Sequence, residues 1–362
     1  MAPAWMKCHC MNTDRMRRFI VSGCMGLALA CVSLASPAID LTGAGASLPY
    51  PVYAKWAARY HALTGHRVNF QSIGSGGGQQ QIIAGTVDWG ASDDPMPEAG
   101  LRRHDLFQFP AIIGGIVPVV NIPGIAPGAL RLSGALLADI YLGRIRRWDD
   151  RAIVALNPEL ALPATDIVVV HRADGSGTTY GWTSYLARVS PQWRDQVGMG
   201  KAIRWPLGQG GKGNEGVAAY VSQLRYSVGY VEYAYAAHNG LSWVRLRNRA
   251  GAFVAPQASS FQAAALDADW QSAPGMGVML TDAGGEEAWP ITAASFILVP
   301  RTVRRRPERM REVLAYFDWA FREGGDIARE LGYVALPDTV IGQIRERWAH
   351  DIRTPRGEAI WE

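Results

Sequence analysis

Short apolar runs alternate along the chain with longer segments whose apolar residues recur at helical spacing. Residues 67–72, 112–121, 167–171, 227–232 and 295–299 read as strands. Helices are expected over 52–64, 79–84, 134–141 with Ser133 as its cap, 178–187, 215–223, 309–323 and 338–352. Strands that alternate with helices in this way argue for an α/β architecture. No internal repeat or low-complexity tract interrupts the pattern. Two apolar strands are candidates for chain crossings between lobes. One is 112–121, closed by Ile122-Pro123-Gly124, and the other is 295–299, closed by Pro300. The basic run 301–309 after the second reads as a solvated entry to a helix.

The N-terminus departs from this pattern. Arg15, Arg17 and Arg18 precede an uncharged stretch from Phe19 to Ala35, and small residues follow. This is the layout of a cleaved secretory signal, with cleavage expected after Ala35 or Ala38. A lipid anchor at Cys31 is the alternative. Residues 1–38 are therefore assigned to a signal peptide with an N-terminal extension, the part before Met11 reading as an upstream start. All four cysteines, Cys8, Cys10, Cys24 and Cys31, fall here, so the remaining chain has neither a disulfide nor a thiolate metal site. Most of the formal net charge of +4 also lies in this segment. The rest is close to neutral, which argues against nucleic-acid binding through bulk charge. At 362 residues the chain is long enough for two domains with their own cores.

Three segments rich in Gly, Ser and Thr each precede a helix: 41–49, 74–78 and 172–179. Each delivers free backbone N–H groups and small hydroxyls to a helix start, where the dipole favours an anion. One such loop is ordinarily a cap. Three in one chain, one carrying Arg172, point to an oxyanion site. Other motifs fail. Lys212 in Gly210-Gly211-Lys212-Gly213 has no Ser or Thr after it, so no nucleotide P-loop is present. Gly43-Ala44-Gly45 has Leu48 at the third glycine position of a dinucleotide fingerprint. Ser176 lacks a nucleophile elbow, and the dispersed histidines lack metal-ligand spacing. His171 reads as a packed strand residue. Asp93 has two readings: a helix cap before Pro95, or a carboxylate that accepts the proton of a protonated oxyanion. The second favours phosphate over sulfate, because sulfate has no proton to give.

The runs LTGAGASLPYPVYAKW, GSGGGQQQIIAGTVDWGASDDPM, HRADGSGTTYGWTSYLA, WPLGQGGKGNEGVAAYV and GYVEYAYA resemble the periplasmic phosphate-binding protein of the high-affinity phosphate ABC transporter. The similarity runs from about Leu41 to Ile352 in consistent order. It implies a two-lobed periplasmic binding protein of type II with two crossing hinge strands. Lobe I would be 39–115 and 290–362, and lobe II 116–289. By motif position, Ser47 and Leu48 would offer N–H groups and Ser75 would contribute from the second loop. Asp93 would accept the phosphate proton, Arg172 would supply the charged contact, and Ser176, Gly177 and Thr178 would donate from a helix start. Asp174 would hold Arg172 from behind. The family usually has Thr-Phe at Ser47-Leu48, a serine at Gly76 and a Phe at Trp89. The glycine is expected to loosen its loop. The resemblance also implies a periplasmic monomer with no cofactor, no metal and no catalytic residue, which hands inorganic phosphate to permease subunits and an ATPase. A receptor for arsenate, a secreted hydrolase on the same scaffold and a free scavenger without a transporter are the competing readings. The hydrolase would need a nucleophile with an adjacent base, and none is evident.

Overall fold

The computed structural model describes Met1, residues 38–266 and residues 268–362. The expected signal peptide, its cleavage after Ala35 and the anchor at Cys31 lie outside the described residues. Residues 39–362 form one compact unit.

Its strands are β1 (Asp40–Gly45), β2 (Arg67–Ser72), β3 (Trp89–Ser92), β4 (Leu106–Val120), β5 (Arg131–Ser133) and β6 (Val168–Arg172). They continue with β7 (Gln209–Gly211), β8 (Ser227–Glu232), β9 (Ser242–Trp243), β10 (Arg245–Arg247), β11 (Phe253–Val254) and β12 (Thr292–Pro300). The main sheet runs β2-β1-β3-β12-β4-β8-β6-β7, with β9 alongside β4. β4 is shared. It pairs with β12 from Leu106 to Gly115 and with β8 from Ile116 to Val120. Every residue of β4 is buried, which is why it reads as an unbroken apolar run rather than an alternating one.

The strand extends further upstream than its sequence suggested, because Pro110 sits inside it. Pairing slips there: Ser295 faces Ile112 and Phe296 faces Pro110, so Ala111 is an extra residue. A bulge of this kind tolerates a residue without an N–H. β12 likewise begins at Thr292, earlier than expected.

Aromatic packing fixes each side of the sheet. Trp89 is stacked on Phe70 (centroids 5.0 Å apart) and edge-on to Phe317 at 5.0 Å. On the other side Trp182 is stacked on Tyr230 at 4.6 Å. His171, read as a packed strand residue, stacks on Trp205 at 4.7 Å.

Two of the glycine-rich segments turn out to be partly regular structure. Residues 41–45 belong to β1, so the first loop is only 46–49. The second glycine run lies within the helix Ser75–Ile83, not before it. A Cβ on Gly78 would sit 2.5 Å from the Gly45 Cα, so these glycines let the helix cross β1 at backbone contact distance. The other expected helices are present within a few residues, as Tyr50–Thr64, Gly134–Tyr141, Gly177–Val189, Gly213–Gln223, Pro307–Glu323 and Asp338–Asp351, while short helices such as Glu98–His104, Arg151–Leu156 and Tyr233–His238 were not anticipated. Ser133 caps its helix by accepting from Leu136 N at 3.3 Å. Among the described residues no helix is long and apolar enough to cross a membrane.

Candidate anion-binding site

The three loops follow β1, β2 and β6 and meet, with Asp93 after β3, on opposite sides of the shared strand. Ser75 ties them together. Its Oγ accepts from Asp93 N at 3.1 Å and from Gly177 N at 3.0 Å. Gly177 cannot carry a side chain here. A Cβ would lie 2.5 Å from Ser75 Oγ and 2.6 Å from Asp93 Cβ. Nearby, Gly76 N donates to Gly175 O at 2.8 Å. The loop expected to be loosened by Gly76 is thus held by the segment opposite.

Arg172 is almost fully buried at the end of β6. Its Nε donates to Asp174 Oδ1 at 2.8 Å and its Nη2 to Asp174 Oδ2 at 2.5 Å. Asp174 Oδ1 also accepts from Gly213 N at 3.0 Å. Burial alone would raise the Asp174 carboxyl, but the guanidinium beside it holds it below the usual carboxylate range. This fork fixes the plane of the guanidinium and leaves Nη1 over. Nη1 is buried without a protein partner among the described residues.

Asp93 presents the complementary problem. It is 3 % exposed, and both carboxylate oxygens are buried without a hydrogen-bond partner among the described residues. It caps no helix. The next helix, Glu98–His104, starts after Pro97. The cap reading of Asp93 is therefore excluded. Burial pushes its carboxyl up to about 7. The hydroxyl of Ser295, the charge of Arg172 and the hydroxyl of Ser75 counter the rise in part, while Asp94 adds to it. Ser295 Oγ stands beside the carboxyl but falls short of hydrogen-bond geometry.

Around this pair the protein supplies donors. The N–H groups of Ser47, Leu48, Ser75 and Thr178 have no backbone or side-chain acceptor among the described residues. The hydroxyls are turned into donors as well. Ser47 Oγ accepts from Asn214 N at 3.2 Å and from Asn214 Nδ2 at 2.9 Å. Thr178 Oγ1 accepts from the same amide at 3.3 Å, and Ser176 Oγ accepts from Thr179 N at 3.0 Å. A hydroxyl whose lone pairs are engaged keeps its own proton to give. Gly177 differs from expectation, because its N–H goes to Ser75 Oγ and so acts at one remove.

Four contributors had not been singled out from the sequence: Asn214, Tyr235, Ser295 and Lys201. Tyr235 donates to Ser47 O at 2.8 Å. Carbonyl and N–H point opposite ways across a planar trans peptide, so this contact turns the Leu48 N–H the other way. Lys201 Nζ reaches across to Asp94 Oδ2 at 2.8 Å and to Gln79 Oε1 at 2.5 Å. Asn214 and Tyr235 stand inside motifs that carried the resemblance. Their partners are more than 160 residues away in sequence, and nothing local announces that.

The PBP superfamily domain matches residues 32–321. The chain is 56% identical over 338 residues to the phosphate-binding protein PstS of Pasteurella multocida, covering 93% of this chain and 98% of that one. It is 59% identical over 314 residues to the phosphate-binding protein PstS of Haemophilus influenzae, covering 87% and 94%. Among solved structures, a high affinity periplasmic phosphate-binding protein bound with phosphate superposes with a TM-score of 0.70 at 19% identity, covering 86% of this chain and 94% of the other. An ABC-type phosphate transport receptor from Vibrio cholerae superposes with a TM-score of 0.53 at 16% identity, covering 82% and 100%. The architecture is thus the two-lobed α/β fold of periplasmic binding proteins, and the chain belongs to the phosphate-binding protein PstS family within the PBP superfamily.

Proposed function

We propose that this protein captures inorganic phosphate in the cleft around Asp93 and Arg172 and delivers it to an ABC transporter for import. One observation carries the proposal: a buried acceptor without a partner, Asp93, stands in a site otherwise made of donors. A fully ionised oxyanion offers nothing to that carboxylate and is repelled by it. Phosphate near neutral pH brings a P–OH, which Asp93 accepts, while its other oxygens take the donors. Direct contacts come from Ser47, Leu48, Ser75, Asp93, Arg172, Ser176 and Thr178, with Gly177 supporting Ser75 and Asp174 orienting Arg172. Lobe I comprises 39–115 and 290–362, and lobe II 116–289, in keeping with the change of partner along β4 at Gly115 and Ile116. The protein acts as a periplasmic monomer, and its partners are the permease subunits and ATPase of the transporter.

Calorimetric titration of the purified protein with phosphate and with sulfate tests this. Phosphate is expected to bind at least about 10⁴-fold more tightly, the size of rejection that an unpaired buried polar group produces. Comparable affinity for the two ions, or no heat with phosphate, would refute the reading.

A further inference from the structure

Glu232 ends β8 at the point where β4 changes partners. Its backbone pairs with Ile116, the first residue of β4 to leave β12 for β8. The side chain is fully buried. Oε2 lies 2.8 Å from the Tyr333 hydroxyl and accepts from Ala234 N at 2.8 Å. Oε1 is buried without a partner among the described residues. Tyr333 belongs to the other side of the hinge. Its neighbour Val334 exchanges backbone hydrogen bonds with Ile113 at 2.9 and 3.0 Å. The same tyrosine hydroxyl lies 2.7 Å from Leu48 O, in the loop whose N–H groups face the cleft.

These contacts can be settled by counting protons. The Leu48 carbonyl only accepts, and a tyrosine has one proton. If Glu232 were ionised, the carboxylate and the carbonyl would compete for that proton, and Oε1 would be an unpaired charged oxygen in the interior. If Glu232 carries a proton, every contact has one donor. Glu232 then donates to Tyr333 Oη, and Tyr333 donates to Leu48 O. The surroundings agree. The titratable groups facing Glu232 are Tyr333, Tyr235 and Asp93, and none of these three is cationic; behind them stand Glu215 and Arg172, whose guanidinium is engaged by Asp174. Burial pushes the Glu232 carboxyl well above the carboxylate range; the hydrogen bonds that Tyr333 and Ala234 N would donate to its ionised form counter this only in part.

We propose that Glu232 and Tyr333 are positioning residues of the anion cleft: a neutral Glu232 holds Tyr333, and Tyr333 holds the Leu48 carbonyl across the hinge. The proposal rests on the reading of the cleft as a phosphate site. It makes closure depend on a proton. A carboxyl that keeps its proton to higher pH in the closed form favours closure at low pH, and that contribution is lost as pH rises through its closed-form pKa.

The test is the dissociation constant for inorganic phosphate between pH 6 and pH 9, for wild type, Glu232→Gln and Tyr333→Phe. Glutamine donates to Tyr333 through its amide and does not titrate. Phosphate titrates alike in both proteins, so the ratio of their constants reports the Glu232 proton together with its effect on Asp93, the carboxyl that faces it. Wild-type binding is expected to weaken relative to Glu232→Gln as pH rises, by up to about tenfold per pH unit, the limit for one linked proton. Tyr333→Phe is expected to bind several-fold more weakly than wild type at pH 6. Parallel profiles for wild type and Glu232→Gln would overturn the relay, because a purely structural role gives a constant ratio. Should Glu232→Gln fail to fold, Tyr333→Phe decides alone, and wild-type affinity in that variant overturns the proposal. If wild type itself does not bind phosphate, the reading of the cleft fails first and the relay with it.

Discussion

A carboxyl group inside an anion site is costly until something protonated arrives, and Asp93 is such a group. Its two unpartnered oxygens and most of its upward shift to about 7 share a cause, removal from water, with Asp94 adding to the rise. Arg172 lies near enough to lower it but spends its fork on Asp174. Asp174 therefore moderates the charge that the ligand meets as well as setting its direction. Asp93→Asn keeps the shape and replaces an acceptor with a group that also donates. Sulfate is expected to gain on phosphate in this variant, even where phosphate loses little. The two dissociation constants, measured at matched ionic strength, check this. A phosphate-to-sulfate ratio equal to that of wild type would remove proton acceptance as the basis of selectivity, while leaving the family assignment intact.

Glycines at the scale of elements divide into two kinds that look alike in sequence. Gly78 touches only its own side of the sheet: a Cβ there would meet Gly45, Ala44 and Ala91. Gly177 touches the opposite side, at Ser75 and Asp93. An added methyl at Gly78 is therefore felt in every folded molecule, whereas one at Gly177 is felt only when the cleft is shut. Overpacking costs about 1–3 kcal/mol. Gly78→Ala is expected to lower the melting temperature of the ligand-free protein. Gly177→Ala is expected to leave melting near wild type and weaken phosphate binding by roughly 5- to 150-fold, the same energy expressed as affinity. A melting curve and a titration for each variant separate them, and loss of stability in Gly177→Ala would contradict this account. The distinction also shows where sequence reading stops. β2, β8 and the cap at Ser133 are written in local pattern and were read to the residue. The glycine run was read as a loop because intrinsic propensity disfavours it in a helix, and only the crossing over Gly45 overrides that. Arg172 and the hydroxyl candidates were singled out because their loops open helices, and Asp93 because an acceptor beside an oxyanion calls for a protonated ligand. Asn214 and Tyr235 were not, because their work is done on Ser47 from across the cleft.

For the whole molecule the question is what changes when phosphate enters. β4 supplies one crossing connection and the start of β12 the other, where Ile116 N donates to Ile291 O at 2.8 Å. Two extended strands bend at few residues and let the halves move as bodies. Polar contacts cross the cleft. They include Gly76 to Gly175, Ser47 to Asn214, Ser72 to Glu215 at 3.1 Å and Lys201 to Asp94. These contacts are polar, and the ligand's own bonds to both sides add to them. The radius of gyration from small-angle scattering is accordingly expected to fall when phosphate is added. Lys201 sits at the rim with its side chain 36% exposed, where an ion pair is worth only about 0.2–1 kcal/mol. Lys201→Ala should therefore reach the same compact end state at saturation. Its effect is expected in the dissociation rate, a rise of roughly 1.4- to 5-fold that shrinks as salt is added. An unchanged scattering profile under saturating phosphate would rule out closure. Under that outcome the contacts from Lys201 and Asn214 would have to exist in the open cleft as well, and Lys201→Ala would no longer act through release.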